Sequence, residues 1–150
     1  MIFTNPKKAF MVWFIILGSL VAGCVGQQLE TPIEGEEGQA WIERAQPIAE
    51  NILTSLETND YESFIRDFSD EMRKSMPEEQ FSELRDLLHS KVGLYQSFAP
   101  PKVAQQQNFV LVYFTAQYEN DEVAVKLVFQ KGDSSYKVQG LWFDSPKLRQ

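Results

Sequence analysis

The chain holds one cysteine, Cys24, and one histidine, His89, so its means of side-chain chemistry are few. Two singletons remove intrachain disulfides, Cys/His zinc sites and every cysteine–histidine nucleophile scheme except one built on that pair. His89 follows Leu88 and stands four residues after Arg85, near the end of an expected helix. An imidazole there could act as a general base at the mouth of a pocket. The simpler reading is a boundary residue that interacts with the helix C-terminus, whose dipole favours a cation. Tyr61, Tyr95, Tyr113, Tyr118 and Tyr136 carry hydroxyls able to hydrogen-bond a ligand, but nothing in their spacing makes them converge, and aromatic packing is their default role. Gly132-Asp133-Ser134-Ser135 has the composition of a hydrolase nucleophile motif, yet it falls between two expected strands rather than at a strand-to-helix elbow, so it reads as a hairpin turn. The acidic residues from 78 to 86 fall on a polar helix face, where solvation and pairing with Arg85 account for them. There is no HExxH, Gly-rich phosphate loop or EF-hand spacing, so no metal and no cofactor is expected. Catalysis is not the preferred reading.

The position of Cys24 carries more information than its reactivity. Lys7 and Lys8 precede 18 uncharged residues, 9–26, whose most apolar part is 9–17; this is the n-region and h-region order of a secretory signal. The run closes on Leu20-Val21-Ala22-Gly23-Cys24, which resembles the lipobox of bacterial and archaeal-type lipoproteins, in which the cysteine becomes the lipidated first residue. The resemblance implies a signal peptide over 1–23 and a membrane anchor on Cys24. The alternative is a single N-terminal transmembrane helix, because 18 residues reach the lower edge of the roughly 17 to 25 that span a bilayer. In both cases the two lysines hold the N-terminal side in the cytoplasm and place the remainder on the extracytoplasmic face.

Composition sets the partners apart. The formal charge is -7, and removal of 1–23 leaves 12 basic and 21 acidic residues, a charge of -9. An acidic chain with no dense Lys/Arg tract is a poor match for nucleic acid, whose binding draws on phosphate neutralisation. Repulsion from anionic headgroups also favours a domain that stands off the membrane. Residues 25–38, rich in Gly and Glu, read as a flexible acidic linker with a reach of about 20 Å. Hydrophobic residues make up 43% of the chain and aromatic residues 13% of it, which supplies a core for one domain over 39–146, with 147–150 as a tail.

Within that domain the hydrophobic period changes once. Trp41, Ala45, Ile48, Ile52 and Leu56 mark an amphipathic helix over 39–57, with Pro47 as a point of kinking. Tyr61, Phe64, Ile65 and Phe68 mark a second helix behind an Asn59-Asp60 cap, and residues 70–74 fit either a helical turn or an extended piece. Ser75 and Glu78 have capping-box spacing around Pro77, which opens a helix with Phe81, Leu84, Leu87, Leu88 and Val92 on one side. After Gly93, residues 94–99 and 102–106 are short extended pieces broken by Pro100-Pro101, and 109–119, 122–131 and 135–144 read as strands of an antiparallel meander. Helices followed by such a sheet define an α+β domain.

Two segments, Asn59-Asp60-Tyr61-Glu62-Ser63-Phe64 through Phe68-Ser69-Asp70, and Tyr136-Lys137-Val138-Gln139-Gly140-Leu141-Trp142-Phe143, together with the element order, resemble the nuclear transport factor 2-like superfamily. More narrowly, the chain resembles a domain family of unknown function found in small secreted proteins and lipoproteins. The resemblance spans about residues 40–144 and implies helices packed on a curved, cone-like sheet. Its motifs are packing patterns, so fold transfers better than activity.

Strand alternation predicts an inner face of Val110, Val112, Phe114, Ala116, Val123, Val125, Leu127, Phe129, Tyr136, Val138 and Trp142. Phe109, Leu111, Tyr113, Ala124, Val128, Leu141 and Phe143 then form an outer face apolar enough for a homodimer or an envelope protein partner. The preferred function is a membrane-tethered binding or interaction module. The alternative is a carrier of a small apolar ligand, or an isomerase- or dehydratase-like enzyme, using a cone pocket lined by Phe64, Tyr136, Trp142 and His89.

Overall fold

The computed structural model describes residues 29–150; Cys24, the apolar run before it and the first part of the expected linker lie outside the described residues. Among the described residues no helix is long and apolar enough to cross a membrane. The elements are β1 (Thr31–Pro32), α1 (Gly35–Thr58), α2 (Tyr61–Ile65), α3 (Asp70–Ser75), α4 (Glu78–Lys91), β2 (Tyr95–Phe98), β3 (Lys102–Gln106), β4 (Phe109–Tyr118), β5 (Glu122–Gln130) and β6 (Val138–Asp144). Helices precede a curved, unclosed antiparallel sheet, an α+β arrangement compatible with a nuclear transport factor 2-like cone.

Local chemistry explains most boundaries. α1 runs through Pro47 without a break and ends where Asn59 takes a left-handed conformation, φ 55°, that an asparagine tolerates better than most side chains. Asp60 caps α2 by accepting from the Ser63 N–H at 3.1 Å, and Ser69 caps α3 by accepting from the Met72 N–H at 3.2 Å. The ambiguous stretch after Phe68 is therefore helical. The expected Ser75 capping box is not formed: Ser75 closes α3 and its hydroxyl donates to the Met72 carbonyl, leaving Pro77 as the N-cap of α4.

The expected linker is also shorter. Thr31 and Pro32 pair with Gln105 and Ala104 of β3, and Gly38 is buried so close to the Ile33 carbonyl that a side chain there would strike it. Backbone pairing and close approach thus draw residues 31–38 into the domain. The 147–150 tail is drawn in as well, with Leu148 packed on the core and Arg149 paired with Asp144.

The sheet order is β1-β3-β4-β5-β6, and β2 pairs with the far half of β4. Pro100 and Pro101 separate β2 from β3, so the two short strands share one edge of β4: β3 takes Phe109 to Tyr113, and β2 takes Ala116 to Tyr118. Prolines cannot continue a ladder, which makes this the corner of the sheet. At the other end of β4, Gly93 (φ 84°) lies against Glu119 and Asn120, where any side chain would collide.

The core lies between the concave face and the helices. Val110, Val112, Phe114 and Ala116 of β4 and Val123, Val125, Leu127 and Phe129 of β5 are buried against Ala45, Ala49, Ile52, Leu53 and Leu56 of α1. Phe64 sits 5.0 Å from Phe68 and 4.9 Å from Phe81, ring centre to ring centre, which joins α2, the segment before α3 and α4. Each fully buried side chain of this size contributes on the order of 1.5–3 kcal/mol.

One strand departs from the expected faces. The β5–β6 register shifts between Val128 and Phe129: Phe129 pairs with Val138, but Val128 pairs with Gly140, so Gln139 is extra. A one-residue bulge turns every later side chain to the opposite face. Leu141 and Phe143 therefore pack against the core, and Trp142, expected inside, lies outside and is 52% exposed. Its ring occupies the space a side chain on Gly140 would need and has the Lys126 ammonium 4.5 Å from its centre.

Candidate functional site

The bulge that turns Leu141 and Phe143 inward also shapes a recess beside β6. α4 rises beside β6, and a cavity of about 480 Å³ separates them. Leu84 and Leu87 line the helix wall, Leu141 and Phe143 the strand wall, with Met76 and Leu148 at the two ends. This volume falls in the range of about 300–1,000 Å³ typical of ligand sites. Leu87 is 42% exposed, so with Trp142 it puts a large apolar side chain on each lip. Isolated exposed hydrophobics are ordinary; here two lie beside one apolar recess.

The polar rim is unequal. Arg149 Nε lies 2.9 Å from Asp144 Oδ1, so that pair neutralises itself at the strand end. Glu83 on the helix wall has no ion-pair partner among the described residues. The groove therefore offers an apolar floor with one uncompensated carboxylate above it.

β6 also lies at the edge of the sheet. Its first residue is tied on the open side: the Val138 N–H donates to the Asp67 carbonyl at 2.8 Å and the Ser69 N–H to the Val138 carbonyl at 2.9 Å. Beyond Val138, among the described residues, no strand pairs with its outer edge.

The four pocket residues expected from the sequence do not meet. Trp142 lines the groove from the opposite side to the one expected. Phe64 is fully buried among aromatic rings. Tyr136, at φ 50° before β6, packs 5.4 Å from Trp41 with the Arg44 guanidinium 4.1 Å over its ring, beside a recess of only about 100 Å³.

His89 belongs to a polar tie between helices. Its Nε2 is 3.2 Å from Glu57 Oε2, and Glu57 Oε1 accepts from the Tyr95 N–H at 3.0 Å. The Tyr95 hydroxyl donates to Glu50 at 2.9 Å; burial first, and that carboxylate second, raise the phenol pKa. Tyr118, whose ring is 5.8 Å from Tyr95, is raised mainly by burial, with Glu57 adding to it. The bonds from Tyr95 fasten β2 to α1, and Arg85 of α4 donates through Nε to the Leu56 carbonyl at 3.0 Å. The helix-end placement of His89 matches the expectation, but its carboxylate partner, 32 positions earlier in the chain, was not visible from spacing.

A second hollow, about 510 Å³, is lined by Glu43, Gln46, Pro47, Glu50 and Phe98. It has one aromatic ring against three polar side chains. Among the described residues no group of three or more His, Cys, Asp or Glu is placed to hold a metal ion.

Sequence comparison supplies a family for this architecture. Residues 49–141 match a protein family of unknown function, DUF3887. The chain belongs to that family. The DUF3887 match runs from the middle of α1 to Leu141 and so includes α4 and the inward-facing start of the groove's strand wall. No curated protein and no solved structure matches the chain.

Proposed function

We propose that the protein is a lipoprotein anchored through Cys24 on the extracytoplasmic face of the membrane. Its DUF3887 domain, a nuclear transport factor 2-like cone in this reading, acts as a non-catalytic binding module. The observation that carries the binding role is the α4–β6 groove, an apolar recess of about 480 Å³ with Leu87 and Trp142 exposed at its lips. Its polar rim has one self-neutralised pair and one lone carboxylate, Glu83, which supports recognition more than acid–base work, since such work needs a matched donor and acceptor around a reacting group.

The anchor rests on the sequence around Cys24, and each buried acyl CH2 contributes about 0.8 kcal/mol to membrane attachment. The outer sheet face is the weaker partner surface, because Leu141 and Phe143 leave it and Leu111 and Val128 are already buried.

Two measurements test the proposal. Intact mass of the protein from membranes should correspond to a chain that begins at acylated Cys24; a full-length 17.3 kDa chain would replace the lipid by a transmembrane segment. Leu87→Asp should remove binding of an apolar ligand while the fold is kept, since Leu87 is already 42% exposed. Unchanged binding would remove the groove from consideration.

A further inference from the structure

We infer that the groove takes an extended peptide segment, apolar on alternate residues and basic overall, which adds a strand to the free edge of β6. The inference rests on the groove as the binding site and names what fills it. Three features converge on it.

The first is the edge. From Gln139 to Asp144 the outer side of β6 has no strand partner among the described residues, and VQGLWFD contains neither proline nor lysine, two residues that commonly block edge pairing. An added strand would satisfy these backbone groups by main-chain hydrogen bonds, which is the source of affinity in strand addition.

The second is the position of the cavity. Side chains of an added strand alternate between the two faces of the sheet. Those on the inner face would enter the recess between Leu84 and Leu87 on α4 and Leu141 and Phe143 on β6. Those on the outer face would lie beside Trp142, whose ring is held over Gly140 and suits a cross-strand contact. The cavity lies where the inward side chains of the next strand belong.

The third is charge. The chain carries -7 overall, and α4 presents Glu78, Glu79 and Glu83 without ion pairs among the described residues, while the one cation lining the groove, Arg149, is held by Asp144. An apolar segment with basic residues meets this wall favourably, and an acidic one is repelled.

The test uses the full chain in detergent and a blocked octapeptide that alternates leucine and threonine between terminal lysines. Calorimetry should show binding that falls at least about tenfold when glutamates replace the lysines at low salt, and at least about tenfold for Leu87→Asp. The deciding variants carry backbone N-methyl groups on alternate residues. In a strand, successive N–H groups point to opposite edges, so methylation in one phase should weaken binding at least about tenfold and in the other phase hardly at all.

Equal binding by both methylated peptides, with loss in Leu87→Asp, would overturn strand addition and leave the groove reading intact. Binding indifferent to Leu87→Asp would overturn both. Failure of the lysine peptide to bind would overturn the inference, as would concentration-dependent self-association that protects the β6 amides without peptide, because a second copy would then be the occupant.

Discussion

On one side the sheet ends in β1, two residues long with Pro32 as one of them; on the other it ends in β6, seven residues with an apolar groove alongside. A short strand bearing proline offers little for another chain to pair with. β2 shares that side of the sheet; it is four residues long, and its first residue is tied where the Tyr95 N–H donates to Glu57 of α1. β6 has only its first residue tied, through Asp67 and Ser69. The same sheet thus ends on one side in two short strands and on the other in a longer one, with Leu87 and Trp142 exposed beside it. Exposed apolar edges promote aggregation unless they serve a contact, so the asymmetry itself supports a binding role for the β6 side.

The strongest way to break the comparison is to loosen what fixes the start of β6. Phe68→Ala removes a buried ring that packs on Phe64 next to the Val138 bridge, and should cost about 3–5 kcal/mol in urea unfolding. A smaller loss would mean that the segment before α3 does not hold the strand in place.

Trp142→Ala separates contact from stability. Its half-exposed ring leaves the core untouched, so unfolding should shift by less than about 1 kcal/mol, while groove binding falls on the order of tenfold or more. A large stability loss with unchanged affinity would make the ring a structural cover for Gly140 instead of a contact residue.

Ser69→Ala should cost about 1 kcal/mol through loss of the α3 cap, in the range usual for an N-cap serine. Because Ser69 also bonds Val138 by its backbone, which the substitution retains, β6 pairing should persist in amide exchange.

The smallest effect belongs to the β1 side of the sheet. The Tyr113 hydroxyl donates to Glu30 at 2.7 Å, and burial, followed by that carboxylate, pushes the phenol up to about 12. The folded state then holds the proton more tightly than the unfolded chain, whose tyrosines titrate near 10. The associated stability is complete below about pH 10 and is lost as pH rises toward 12. Tyr113→Phe should flatten part of that alkaline loss and leave groove binding unchanged; Tyr95 and Tyr118, also raised, account for the remainder.

How much of this was legible in the sequence depends on the range of the interaction. β4 and β5 were readable because one face of each packs on the core, which imposes a period of two through the β4 run Val110 to Ala116. β6 was misread after one residue: Gly140, a glycine inside a strand pattern, was the available sign of the bulge that moved Trp142 outward. The linker was overextended because glutamates and glycines say nothing of a backbone pairing to β3, more than 70 positions later.

The groove was hidden for a similar reason. Its walls come from residues 76–87 and 141–149, which only the fold brings together. One local trace existed. Phe81, Leu84 and Leu88 serve the core face of α4, so Leu87, which is left exposed, made the apolar stripe wider than the core required. The expected pocket failed because Phe64 and Tyr136 pack on near neighbours, rings and a guanidinium, and His89 lies beside the Glu57 carboxylate instead of near them.

The central claim is that the open edge and the groove beside it form the contact surface. Amide hydrogen exchange of the full chain, with and without the leucine–threonine–lysine peptide, tests it most directly. The account predicts slowed exchange across residues 139–144 and 80–87 and no change at 31–32 or 102–106. Protection confined to the β1–β3 edge, or to the outer face of β4, would contradict it.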